Sequence, residues 1–376
     1  MSSHNHKKAR TERNLRKLEI LSTVLAGRKS LLIVLQDYPD PDALASAAAL
    51  RELARAVGDI QSTIACGGAL GRSENRALAR YLRLNNRILQ ELDFARFDVI
   101  ALLDTQPGSG ANALPDEITP AIVIDHHPIR TATRSVEFTD IRSQYGATST
   151  ILYEYLSETK VPIEMPLATA LLYGIRSDTQ DLGREAGRAD IEAFLNLYPI
   201  ANKRMLSEIQ HSKTPRSYFR LLANALKNAM IHGPAIISCL GRIDIPDIIG
   251  EVADLMLRDE NISWTLCYGY YDNRIVLSMR TSAQDGNAGK VMHKIVYQKG
   301  TGGGHKAMAG GQISLKTNTA KERRNLEEII RARFLKTLKL QEIPGEKLIS
   351  AKWMQDTSGP QTEPPKIEKQ KENLKT

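Results

Sequence analysis

Three short apolar runs in the first third of this chain each lead into an aspartate, and that pattern constrains the fold more than any other feature. Leu31–Leu35 leads to the acidic turn Asp37–Tyr38–Pro39–Asp40–Pro41–Asp42, Phe97–Leu103 runs directly into Asp104, and Pro120–Ile124 runs directly into Asp125. Continuous apolar runs of this length predict strands buried on both faces, as in a parallel sheet. The acidic turn is followed by ALASAAALRELARA, whose composition and apolar periodicity predict a helix. Strand, acidic turn and helix in succession place carboxylates at the C-terminal edge of a sheet, where α/β folds bind ligands. If the three strands are parallel neighbours, their acids gather in one crevice.

The rest of the chain extends this plan. Gln61–Ala65 reads as a further strand, while Ser73–Leu84, Ala147–Leu156 and Leu167–Ile175 read as helices, the last delivering Asp178 to the same set of acids. Asp190–Asn228 is helical and amphipathic and contains the expected connector. A second block has strands at Ala235–Leu240, Thr265–Tyr271 and Arg274–Arg280 and a helix at Pro246–Leu257. It then runs through a Gly-rich loop, GTGGGHKAMAGG, to a strand at Gln312–Leu315 and a helix at Ala320–Leu340. The expected division is a basic N-terminal segment and helix (1–30), a parallel-sheet catalytic domain (31–200), a helical connector (201–230), a smaller α/β domain (231–342) and a disordered tail (343–376).

Composition excludes several classes. A length of 376 residues suits two or three domains, and 42% hydrophobic with 25% charged residues is ordinary for a soluble protein. No apolar run is long enough to cross a membrane, and the basic N-terminus lacks the apolar core of a secretory signal. Cys66, Cys239 and Cys267 are odd in number and far apart, which argues against a disulfide framework or zinc cluster and fits a cytoplasmic location. The net charge of +8 admits an anionic partner, but part of the excess lies in the first thirty residues, read as a solvated helix or frayed end.

Several carboxylates gathered in one crevice repel and shift one another's pKa values unless cations are present. Carboxylates joined by imidazoles make a hard, mixed O/N site suited to Mn²⁺ or Mg²⁺. Two such ions about 3.5–4 Å apart generate a hydroxide at neutral pH and hold a phosphoryl group for in-line attack. The Gly-rich segment has its own rationale: Gly302, Gly303 and Gly304 let backbone N–H groups approach an anion, and His305 and Lys306 add donors. The alternative there is a plain tight turn. Trp264, Tyr268, Tyr270 and Tyr271 read either as a stacking platform for a base or as a strand burying one face. His211, His232 and His293 have no motif context.

The Asp125–His126–His127 triplet, the PDPDA turn before it, and the lone Asp104 and Asp178 together resemble the DHH phosphoesterase superfamily. The GTGGGHKAMAGG segment resembles the signature of the accompanying DHHA1 domain. The set is most similar to the oligoribonuclease/pAp-phosphatase (nanoRNase) branch, single-chain relatives of the exonuclease RecJ, and covers roughly Leu31 to Leu315. The resemblance implies an N-terminal parallel-sheet DHH domain, a smaller α/β DHHA1 domain, and an active site in the cleft between them. It implies a two-manganese phosphoesterase, with Mg²⁺ as a substitute. Asp40 would hold the first ion and Asp42 the second, Asp104 would bridge them, and His126 and Asp178 would complete the second site. His127 would face the substrate phosphate, and Asp125 would orient the imidazoles from behind. Arg280 and His305, with Gly303 and Gly304, would grip the terminal nucleotide.

One position departs from the pattern. Relatives of this branch carry a His four residues before the first Asp of the turn, where this chain has Gln36, so the first site would use a weaker carboxamide ligand or lean on Asp37. The expected substrates are short RNA or DNA oligonucleotides, linear dinucleotides or 3′-phosphoadenosine 5′-phosphate, with no membrane partner and with room for a homodimer. A cyclic-dinucleotide phosphodiesterase and a nucleotide- or RNA-binding protein with a weakened metal site are the alternatives.

Overall fold

The structure, a computed structural model, describes residues 3–304 and 306–350 of the chain. Its contacts divide it into two compact units, one made of residues up to Arg216 together with Asp244–Ile248, the other of Ser217–Ile243 and the residues from Ile249 on. The break at Arg216 falls inside the expected connector.

The first unit opens with α1 (Ser3–Leu25), β1 (Ser30–Val34), α2 (Pro41–Gly58), β2 (Gln61–Cys66), α3 (Ser73–Tyr81) and β3 (Asn86–Ile88). It continues with β4 (Val99–Leu103), β5 (Ile122–Asp125), β6 (Phe138–Ile141), α4 (Thr148–Ser157), α5 (Met165–Asp178), α6 (Arg188–Leu197) and α7 (Lys203–Gln210). The six strands form one sheet in the order β3-β2-β1-β4-β5-β6, all parallel. The order reverses between β1 and β4, which makes their C-terminal ends the topological switch point where such sheets take ligands.

Burial follows the strand period. Leu31, Ile33 and Leu35 join the large core beneath α2, α4 and α5, while Leu32 and Val34 face a smaller cluster with Leu102 and Val123. Helix α2 begins where Asp40 caps it and Pro41 enters the first turn, so the acidic turn and the helix start are one device. The short strands β3 and β6 were not legible in the sequence; each lies at a sheet edge, and β3 has no fully buried residue.

The N-terminal helix departs from the expectation of a solvated or frayed end. Leu21, Val24 and Leu25 of α1 belong to the main core, and Asn14 is 1% exposed, donating to Glu154 at 2.9 Å. Three of its basic residues are half-buried and engaged by the unit, Arg10 and Arg13 beside Glu154 and Lys17 donating to the Thr139 carbonyl, so charge count alone misjudges this helix.

The second unit contains α8 (Arg216–Asn228), β7 (Met230–His232), β8 (Ala235–Arg242), α9 (Ile248–Met256), β9 (Trp264–Tyr271) and β10 (Arg274–Thr281). It ends with α10 (Ala288–Val296), β11 (Gly300–Gly304), β12 (Met308–Ser314), α11 (Ala320–Leu338) and β13 (Glu346–Lys347). Its seven-stranded sheet has the order β11-β12-β10-β9-β8-β7-β13; β8 and β9 are parallel, joined through α9, and the other pairs are antiparallel. Trp264 and Tyr268 are core residues, as the strand reading required, which removes them as an exposed stacking platform.

Two expectations are corrected here. The Gly-rich segment is not a loop: Gly300–Gly304 pairs antiparallel with β12, which runs from Met308 rather than from Gln312. The glycines admit α10 against this hairpin, since a Cβ on Gly302 would lie 3.0 Å from Met292 Cγ and one on Gly311 2.7 Å from Met292 Sδ. The tail expected to be disordered from 343 begins in order, because Glu346 and Lys347 pair with Ile231 and Met230. The remainder of that tail, from Ala351, lies outside the described residues.

Candidate metal centre

The candidate centre is built from loops that leave the strand ends of the first unit. Asp40 follows β1 as the cap of α2, its Oδ1 accepting the Ala43 N–H at 3.0 Å. Asp42 lies one residue inside the helix and is fully buried. Its two oxygens accept the Thr148 and Ser149 N–H groups, each at 2.7 Å, so the same carboxylate caps α4. The expected role of Asp42 as a plain ligand is therefore incomplete: it also ties two helices together. Close packing at this point needs Gly174 of α5, where a Cβ would sit 3.1 Å from Asp42 Cα and 2.5 Å from Ser149 Oγ.

Asp104 ends β4 in the left-handed region at φ +57°, a conformation that Asp tolerates better than most residues. It is 3% exposed, and its Oδ1 accepts the Thr148 hydroxyl at 2.9 Å. Asp125 ends β5. Its Oδ1 lies 2.7 Å from His127 Nδ1 and also accepts the His127 N–H at 3.1 Å, while its Oδ2 accepts from Gln106 Nε2 at 2.7 Å. Asp125 thus holds one imidazole. The other, His126, has Nδ1 3.2 Å from the Tyr145 carbonyl oxygen.

That contact makes Nδ1–H the donor and leaves the lone pair on His126 Nε2, which points into the acids. Nε2 lies 3.0 Å from Asp178 Oδ2 and 3.5 Å from Asp104 Oδ1. It is shielded from solvent yet makes no hydrogen bond of acceptable geometry among the described residues. Donor atoms of Asp42, His126 and Asp178 lie within 4.8 Å of one another, as do those of Asp104, Asp125, His126 and His127. An imidazole nitrogen ringed by carboxylate oxygens, with a proton standing in for the metal when no cation is bound, is the donor set of a hard divalent cation. The residues fit such an ion.

The protonation states carry the same message. Burial, with the charge of Asp178 next, pushes Asp40 up to about 6 and Asp42 up to about 7. Asp104 is raised well above the usual carboxylate range by burial and by Asp40 and Asp42. Burial opposes the charge on Asp125 and Asp178, but the imidazoles prevail and lower both, His127 acting on Asp125 and His126 on Asp178. Burial likewise opposes an imidazolium at His126, yet Asp178, Asp104 and Asp42 raise its pKa. Without a cation, the cluster takes up protons to relieve its own repulsion.

Of the other sequence-predicted residues, Gln36 follows β1 and is half-buried, with no hydrogen bond or ion pair to these acids among the described residues. Asp37 packs against Gly67 of the loop after β2. In the second unit, Arg280 of β10 donates through Nε to Asp254 Oδ1 at 2.6 Å and through Nη1 to Ser278 Oγ at 2.7 Å. Gly303 has open space where a Cβ would stand, and Gly304 has φ +154°. His305 lies outside the described residues.

Three contributors had no sequence signal or only a faint one. Gln106 is 1% exposed; besides holding Asp125, its Oε1 accepts from Arg130 N at 2.8 Å and Thr133 Oγ1 at 2.9 Å. The Tyr145 carbonyl and Gly174 act through backbone and through absence of a side chain. Only the polar Thr148–Ser149–Thr150 start of an otherwise apolar helix was visible as an anomaly.

Comparison with known proteins agrees with this architecture. Residues 31–175 match the DHH family, N-terminal domain, and residues 232–333 match the DHHA1 domain. An uncharacterized protein of Methanocaldococcus jannaschii is 35% identical over 319 residues, 83% of this chain and 65% of that protein. The chain thus spans about two thirds of the length of the curated relative it matches. Among solved structures, an exopolyphosphatase-related protein from Bacteroides fragilis is similar with a TM-score of 0.65, over 86% of this chain and 97% of that one, at 16% identity. A structure of exonuclease RecJ bound to manganese gives a TM-score of 0.47 over 87% and 95%, at 15% identity. At 16% identity the first of these is a likeness of fold. With both of its domains matched in order, the chain belongs to the DHH family, an N-terminal DHH domain followed by a DHHA1 domain.

Proposed function

We propose that this chain is a manganese-dependent phosphoesterase of the nanoRNase kind, acting on short oligonucleotides, linear dinucleotides or 3′-phosphoadenosine 5′-phosphate. The observation that carries the reading is the convergence on buried His126 Nε2 of carboxylate oxygens from Asp178 at 3.0 Å and Asp104 at 3.5 Å, with Asp42 in the same cluster. Two divalent cations held by Asp40, Asp42, Asp104, His126 and Asp178, with Gln36 as a weak ligand, would supply Lewis-acid charge and an acidified water. Mn²⁺ suits a mixed carboxylate–imidazole set better than Mg²⁺, which prefers oxygen alone.

The chain's own groups supply the rest. Asp125 fixes His127 with its Nδ1–H inward, which turns Nε2 outward to hold a phosphate oxygen or take up a proton there. Gln106 locks Asp125 in turn, so the imidazole does not need to be reoriented during turnover. Arg280, Gly303, Gly304 and His305 are the proposed contacts for the terminal nucleotide. Arg280 already spends Nε and Nη2 on Asp254 and Nη1 on Ser278 Oγ and the Met279 carbonyl, so it would grip a phosphate by giving up part of that set.

The test is a substrate panel of 3′-phosphoadenosine 5′-phosphate, the dinucleotide pApA, a five-nucleotide RNA, cyclic di-AMP and pyrophosphate, each with Mn²⁺ and again with Mg²⁺. Turnover of the first three with Mn²⁺, abolished in Asp104→Asn, supports the proposal. Preference for cyclic di-AMP would replace it with the cyclic-dinucleotide reading. Binding of nucleotides without turnover of any compound would replace it with the binding-protein reading.

A further inference from the structure

A pocket of about 370 Å³ in the first unit lies apart from the acids, between one face of α1 and the start of α6. Lys7, Arg10 and Arg13 of α1 line one wall, Gly187 to Ala189 and Glu192 the other, and Gln144 and Tyr145 complete the lining. Four cations, counting Arg188, therefore face a single lining carboxylate.

The neighbouring acids are already shared out. Glu192 serves both Arg10 and Arg188, the latter at 2.8 Å. Glu154 lies 3.1 Å from Arg10 Nε and 3.6 Å from Arg13 Nη2, and it also takes Arg142 at 2.6 Å and Asn14 at 2.9 Å. Asp140 is held by Arg142 and by the Tyr155 hydroxyl. Asp190 is saturated by the N–H groups of Gly146 and Gly187 and the Thr150 hydroxyl. Arg13 Nε is shielded from solvent and has no acceptor among the described residues, and Lys7 has no ion pair there. The pocket is thus short of acceptors.

We infer that this pocket binds a phosphate group. Guanidinium groups match tetrahedral oxyanions in geometry as well as charge. Arg10 is spent on Glu154 and Glu192. Among the described residues, however, Arg188 pairs only through Nε and Arg13 only through Nη2, to the Tyr145 hydroxyl and Glu154, which leaves their other N–H groups beside the Lys7 ammonium. At the start of α6 the Gly187 N–H is already taken by Asp190 Oδ2, so the side-chain cations and not the helix end supply the positive potential. The volume lies at the low end of small-ligand pockets, so it admits a bare phosphate or the phosphate of a small nucleotide. The Tyr145 ring lies 5.6 Å from the Arg13 guanidinium, and its carbonyl holds His126, which sets the pocket against the back of the metal-centre loop. The site does not depend on the proposed activity.

The test uses full-length protein freed of cations with a chelator, so that phosphate cannot bind through a metal. Calorimetry with inorganic phosphate, and separately with AMP, is expected to show one site per chain in the wild type and equally in Asp104→Asn. In Lys7→Gln/Arg188→Gln, which removes two outer cations, affinity is expected to fall at least about tenfold, the scale of one lost charge-assisted contact. Tighter AMP binding identifies a nucleotide phosphate; equal binding identifies the bare anion. As a second measurement on the wild type, phosphate is expected to protect Arg10 and Arg13 from phenylglyoxal, read by mass spectrometry. Absence of binding at millimolar phosphate, equal affinity in the double variant, or unprotected arginines would overturn the site.

Discussion

At the scale of single residues, the acids of the centre divide by what holds them. The Asp42 carboxylate caps α4 through two N–H groups, whereas among the described residues the Asp104 carboxylate accepts one hydrogen bond, from the Thr148 hydroxyl. Replacing Asp42 by Ala would orphan two buried donors, each costing about 1–3 kcal/mol. Replacing Asp104 by Asn keeps the shape, keeps an oxygen for Thr148 and removes a buried charge that its neighbours oppose. In chelator, urea unfolding is therefore expected to show Asp42→Ala about 2–5 kcal/mol less stable than wild type. Asp104→Asn should stay within about 1 kcal/mol or gain stability. Equal losses in the two variants would contradict this division of roles. The acids themselves were legible because each ends an apolar run or sits in the DHH triplet. What fixes them was not: a carbonyl at Tyr145, a glycine at position 174 and the carboxamide of Gln106 act only once distant segments meet.

At the scale of elements, the strands buried on both faces were readable from composition, and β1, β4 and β5 lie where their apolar runs predict. Edge strands and the glycine hairpin were not, since their pairing is set by neighbours and not by their own pattern. The hairpin offers a sharp contrast between two adjacent glycines. A Cβ on Gly302 would crowd Met292 Cγ at 3.0 Å and Val296 Cγ2 at 3.1 Å, while one on Gly303 would meet nothing within 4 Å. Gly302→Val is expected to lower the stability of the second unit by about 1–3 kcal/mol, through overpacking against α10. Gly303→Ala should leave stability within about 0.5 kcal/mol, while raising KM if the terminal nucleotide lies there. Tryptophan fluorescence from buried Trp264 follows the unfolding of this unit.

The start of α11 supplies a pH signature within the same unit. Glu322 accepts the N–H groups of Lys316, Thr317 and Asn318 at 2.8, 2.9 and 2.8 Å. These bonds hold its carboxyl at about 2, against an ordinary value of 4.5. A carboxyl lowered on folding contributes stability in full above its unfolded value and loses it as pH falls through the folded one. The stability gap between wild type and Glu322→Gln is therefore expected to be constant above pH 4.5 and to shrink as pH falls toward 2. A gap that widens on acidification would refute the capping role.

At the scale of the whole molecule, the all-parallel sheet is what turns scattered acids into a centre. Parallel strands put their C-terminal ends on one edge, and the reversal between β1 and β4 opens a crevice there, so Asp40, Asp104 and Asp125 converge from distant parts of the sequence. The same convergence concentrates negative charge, which adds to burial, the larger cause, in raising the pKa values of Asp40, Asp42 and Asp104. A cation that binds only the folded chain stabilises it by RT ln(1 + [L]/Kd), about 2.7 kcal/mol at a hundredfold excess over Kd. Mn²⁺ is thus expected to raise the thermal midpoint of the wild type in proportion to the logarithm of its concentration, with chelator reversing the shift. Hydrogen exchange should place the added protection at the start of α4, the end of α5 and the β4 and β5 ends, with the second unit unchanged. In Asp104→Asn the shift should be much smaller. A shift of equal size in that variant, or protection spread evenly over both units, would mean that the ion binds elsewhere and that these acids serve only to pin α2, α4 and α5 together.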